Sequence, residues 1–168
     1  MSMYPIASAL ATGSNDLAFT NIPQNFTHLQ IRVFLRSTNS GAQDFNYVRI
    51  NSDFGSNYVS HGIYGNGSGA VSDYYNARSY NWLTDIPGSS AAANIYGVAI
   101  IDILDYTNTN KYKTIKSIGG YDANGSGTVQ LASGLWMSTA AITSITCSSG
   151  NNVAAAGSTA QLYGITTA

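Results

Sequence analysis

Glutamate is missing from this chain of 168 residues: all eight acidic residues are aspartate, set against seven Lys and Arg. Only 9% of residues are charged and the formal net charge is −1. The basic excess that a nucleic-acid or anionic-membrane surface requires is therefore lacking. The single cysteine, Cys147, excludes an intrachain disulfide and a cysteine-rich metal site. Set between Thr146 and Ser148 in a strand-like stretch, it reads as a small buried residue rather than a reactive thiol. No apolar run reaches the ~20 residues that cross a bilayer as a helix, so no membrane partner is expected. No basic segment leads into an apolar run after Met1, so synthesis in a cytoplasm without export is expected.

Motifs of chemistry are equally scarce. The two histidines, His28 and His61, lie in strand-like segments. No Gly-x-Ser-x-Gly elbow joins a strand to a helix, and no phosphate loop, dinucleotide fingerprint or His-Glu-x-x-His is present. Asn51, Asp53 and Gly55 alternate as in a calcium loop, but the position of the acidic bidentate ligand is Gly62, so a plain turn is expected. We assign no catalytic, cofactor-binding or metal residue and expect a protein that is not an enzyme.

What the chain does have is 44% apolar residues and 12 tyrosines, enough burial to fold as one domain. The most apolar run is Ile95–Tyr106, rich in Ile and Val, with Gly97 against a helix. Turn residues follow at 107–110, and Lys111–Ile118 alternates back, so Ile95–Tyr121 is expected to be a central hairpin on which the other strands pack. In Phe26–Arg36, Leu29, Ile31, Val33 and Leu35 share one face and His28, Gln30, Arg32 and Arg36 the other; only Phe34 breaks the pattern. Further strands are expected at Phe45–Asn51, Tyr58–Tyr64, Thr128–Met137, Ile142–Ser148 and Thr159–Ile165. Within Thr128–Met137, Val129, Leu131, Leu135 and Met137 are in phase and are expected in the core. With about ten short strands and no convincing helical period, the predicted fold is an all-β, antiparallel, single-domain β-sandwich.

Two stretches look made for contact. The polar segment Val71–Trp82 carries Tyr74, Tyr75, Tyr80 and Trp82, and is predicted as a loop whose aromatics either meet another surface or cap the core. Residues 1–21 form an N-terminal arm and first strand ahead of a sandwich over 22–168. The arm is uncharged until Asp16 and holds Met3, Tyr4, Pro5, Ile6 and Leu10, an apolar set expected to be poorly ordered unless something ties it down.

The order of several short motifs resembles a group of tailed-bacteriophage virion proteins. These are Ile22-Pro23 before Phe26–Ile31, then Val48–Tyr58, then Ile103-Leu104-Asp105-Tyr106 before Lys111-Tyr112-Lys113, and finally Gly157–Ile165. The resemblance covers Ile22 to Ile165. It implies a jelly-roll-like β-sandwich found in capsid decoration (cement) proteins, head fibres and tail-fibre tips. It also implies a structural role in the virion, with the major capsid protein and a homotrimer as partners on the capsid surface, after assembly in the host cytoplasm. The short arm before the sandwich favours the decoration role, with the arm and the Tyr74–Trp82 loop at intersubunit contacts. The competing expectation is a carbohydrate-binding module that meets a host-surface glycan.

Overall fold

The computed structural model describes residues 2–150 and 152–167, which hold strands and turns but no helix. Two antiparallel sheets face each other as a jelly-roll-like β-sandwich. Strands are numbered in chain order. The large sheet runs β1 (Ser2–Leu10), β12 (Thr159–Thr166), β3 (His28–Leu35), β8 (Gly97–Ile103), β9 (Lys113–Asp122), β10 (Gly127–Trp136), β5 (Tyr58–Gly65) and β6 (Ala70–Arg78). The small sheet runs β2 (Leu17–Phe19), β11 (Ile145–Ser149), β4 (Gln43–Ile50) and β7 (Asn81–Pro87).

The predicted hairpin is β8–β9, and it takes the two middle places of the large sheet. Its connection turns through Asp105, whose positive φ an Asp tolerates. Lys113, fully buried at the start of β9, closes this turn by donating to the carbonyls of Asn108 (2.6 Å), Lys111 (3.1 Å) and Thr139 (3.1 Å). Burial, helped by the neighbouring Lys111 charge, lowers the pKa of its ammonium. In β3 the alternation holds: Leu29, Ile31, Val33 and Leu35 are buried and join Ile101, Ile103, Leu83, Ile50 and Leu17 in one core. Each such side chain contributes roughly 1.5–3 kcal/mol of burial.

Three expectations need correction. The N-terminal arm is a strand: β1 pairs with β12 from Ser2↔Thr166 to Leu10↔Thr159, with a bulge between Pro5 and Ala7. What ties it down is this chain's own sheet edge. The predicted Val71–Trp82 loop is strand as well, β6 at the margin of the large sheet passing into β7 at the margin of the small one. In β10 the phase is reversed: Thr128, Gln130, Ala132 and Trp136 are buried, while Val129 and Leu131 are exposed.

The reason for that reversal lies in β7. Its seven residues are all buried, and its unpaired edge points at the large sheet. The Asp85 backbone amide donates to the Gln130 side-chain oxygen Oε1, and the Ser117 hydroxyl donates to the Leu83 backbone carbonyl at 3.3 Å. A buried edge must have its backbone groups satisfied, so β9 and β10 turn polar side chains inward there. Space is short too. A Cβ on Gly134 would stand 2.7 Å from the Asn81 amide group, and one on Gly62 only 2.5 Å from the Trp82 ring. Small and polar residues of β10 therefore face in opposite β7, with Trp136 buried at the end of the strand, while Val129 and Leu131 face out.

Candidate functional site

The outer face of the large sheet is built from register rows that cross its strands. From β3 to β5 one row reads Arg32, Ile100, Ile118, Leu131, Ile63. The row beside it reads Phe34, Val98, Gly120, Val129, Gly65. On the other side stand Gln30, Asp102, Lys116, Ser133 and His61, ending on Tyr74 of β6. Because side chains of a strand alternate between faces, these residues lie together on the side away from the core. The first two rows are largely apolar and open to solvent: Ile63, Val98, Ile118 and Val129 each expose more than half of their surface. Gly120 leaves a hollow of about 370 Å³ between Val98 and Val129. A wider cleft of about 720 Å³ runs beside Leu131 and Ile63, walled by His61, Tyr74, Lys116, Thr114 and Leu104.

The few charges of this face are largely occupied within it. Asp102 accepts from the Gln30 amide at 2.9 Å and lies 4.0 Å from the Lys116 ammonium. Arg32 donates from Nε to the Gln30 oxygen at 3.2 Å and lays its guanidinium over the Tyr163 ring at 5.2 Å. Phe34 stacks on Tyr96 at 4.7 Å, and Arg36 fixes the loop that carries Tyr96 by donating to the carbonyls of Ser89, Ala91, Ala92 and Ile95. The result is an apolar, almost neutral surface set on the continuous large sheet.

The residues singled out in the sequence are scattered by the fold. Met3 and Pro5 sit on the outer face at its far margin, with the Met3 sulfur 3.9 Å from Arg32. Tyr4 turns the other way against Phe26, at 6.0 Å between rings, and Ile6 packs partly on the core. Leu10 is exposed at the end of β1. Of the four aromatics expected on a loop, Tyr74 alone joins the outer face, where its ring meets that of His61 at 4.5 Å. Trp82 is buried against Gly62, with Tyr75 at 5.1 Å, and so cannot offer a surface. Tyr80 is half-buried between Tyr47 (4.6 Å) and Phe45 (5.7 Å). Ile63, Val98, Ile100 and Ile118 were not singled out, and Val129 and Leu131 were expected in the core; for β8 and β9 the signal was apolar residues in both phases of one strand.

The remaining candidates have structural duties. His28 Nδ1 lies 2.9 Å from the Asp105 amide nitrogen and 3.3 Å from the Asp105 carboxylate, which ties β3 to the turn after β8. Asp105 is also bound by the Lys111 ammonium, which holds its carboxyl below the ordinary range. Asp53 accepts from Trp136 Nε1 (2.8 Å), Asn57 (2.9 Å) and the Gly55 amide (2.8 Å), and this turn lock lowers its pKa, the Trp136 bond most. Burial pushes the Cys147 thiol up to about 12, so it stays protonated and inert. The chain matches no protein-family model, no curated protein sequence and no solved structure.

Proposed function

We propose that the chain is a non-enzymatic virion structural protein, a capsid decoration protein that sits on the outer surface of the shell as a homo-oligomer. The resemblance of the motif order to tailed-phage virion proteins suggests the setting, with the major capsid protein as partner and a trimer as the form it implies. The observation that carries the reading is the apolar outer face of the large sheet, from Val98 and Ile100 across Ile118 to Leu131 and Ile63. Contiguous apolar surface of this breadth is uncommon on a protein that works alone and marks a place of assembly. The almost uncharged sequence suits a molecule held in a fixed assembly. The test is cosedimentation of the tagged chain with shells assembled from the major capsid protein of the particle it is proposed to decorate. Saturable binding, with shells that resist heat better when decorated, is the expected result. No retention on shells or on whole particles would overturn the proposal.

One observation favours a second reading, a receptor-binding module of a head or tail fibre. In the 720 Å³ cleft the paired His61 and Tyr74 rings stand beside Lys116, Thr114 and Ser133. An aromatic surface with a few polar groups near it is a setting in which a sugar ring can bind. On that reading the chain binds host cells or their glycans, and Tyr74→Ala abolishes binding. Trp82→Ala is not the informative variant, since Trp82 is buried.

A further inference from the structure

We infer that the partner covering the outer face of the large sheet is a second copy of this chain. The inference rests on reading the molecule as an assembly protein and goes on to say what occupies its apolar face. Size is the first argument. The exposed apolar residues, from Phe34 and Val98 at one end to Ile63 and Tyr74 at the other, each show 42–65% of their surface. Together they amount to on the order of the ~800 Å² that one partner brings to a stable interface. A small ligand in the cleft would leave most of this uncovered.

Shape is the second argument. Ile100, Ile118, Leu131 and Ile63 stand abreast on β8, β9, β10 and β5, a width of about 14 Å at ~4.8 Å per strand. One added peptide strand covers a single line of such a surface, whereas another sheet face covers all of it. Charge is the third. Asp102 and Lys116 already face each other, and Arg32 is engaged by Gln30 and Tyr163. Two copies can therefore meet without like charges opposed. An anionic membrane or a nucleic acid would find no cationic excess here to bind.

The test is sedimentation of the full chain over a range of concentrations. The expected result is a homo-oligomer that Ile118→Lys and Leu131→Lys each weaken by about 100-fold or more, since each places a charge in an apolar contact. The control Phe54→Lys, at a more exposed residue on the turn after β4, should leave association unchanged. Circular dichroism checks that the variants fold. A second measurement does not depend on disruption. With Cys147 fully buried, Val129→Cys supplies one accessible thiol, and its alkylation should slow as protein concentration rises. A monomeric parent chain, an oligomer indifferent to both lysines, or alkylation independent of concentration would overturn the inference. A monomer that still binds shells would overturn this inference alone, and an oligomer that ignores shells would overturn only the decoration role.

Discussion

Asp85 offers the sharpest test of the interior. It lies in β7 with only 7% of its surface exposed, and burial raises its carboxyl to about 6, with the charges of Asp73 and Asp44 adding to the shift and Gln130 opposing it. A carboxyl whose pKa is higher folded than unfolded binds its proton more tightly in the native state, so its ionisation works against folding. The cost is absent below the unfolded pKa of 3.8, grows as pH rises to about 6, and is constant above. A shift of about two pKa units corresponds to about 3 kcal/mol. Asp85→Asn should therefore gain about 2 kcal/mol on the parent between pH 4 and pH 7, a small part of the cost being present already at pH 4. Any cost of the amide itself is independent of pH and cancels from that difference. Urea unfolding of both proteins at pH 4, 5, 6 and 7 measures it. A stability difference that stays constant across the four pH values would refute the argument, whatever its sign.

The two faces of the large sheet should answer oppositely to one substitution. Ile31→Asp buries an unpaired charge and should cost more than about 4 kcal/mol, while Leu131→Asp should stay within about 1 kcal/mol in dilute monomer; equal melting temperatures would refute the inside–outside assignment. Gly62→Ala forces a methyl to within 2.5 Å of the Trp82 ring and should destabilise by about 1–3 kcal/mol with a shift in tryptophan emission; an unperturbed spectrum would count against that packing. Deleting residues 2–10 removes the pairing with β12 and the cover that Ile6 and Ala9 give the core. The β-rich circular dichroism should persist with at least about 2 kcal/mol lost, and an unchanged urea midpoint would mean that β1 is not part of the sheet.

The central hairpin and β3 were legible because each has the pattern its place demands. β8 lies in mid-sheet, and β3 alternates cleanly between core and outer face. Phe34 was the clue that went unused, since a large apolar side chain on the wet face of β3 announced the patch that continues through Val98 and Ile100. The β10 error has the same root. Its apolar residues are in phase, and phase alone does not say which side is the core. That depended on Asn81, Trp82 and the β7 edge, some 45 residues earlier in the chain and unseen by any local pattern. β6 escaped because its polar, exposed residues carry no alternation; pairing with β5 makes it a strand. The aromatics drew attention as a cluster in sequence, yet β6 and β7 belong to different sheets, which sends Tyr74 and Trp82 to opposite sides.

The hold of Gln130 and Ser117 on β7 also has a consequence in time. β4 and β7 pair across the chain from 43 to 87, but the side chains that seal the outer edge of β7 arrive with residues 117 and 130. A growing or refolding chain that has paired β4 with β7 and not yet closed β9 and β10 over it carries an open strand edge, ready to accept the wrong strand. In the finished molecule that edge is beyond reach. The hazard is confined to the interval before the large sheet closes, so yield on refolding should fall with chain concentration even though the native protein tolerates crowding by its own kind.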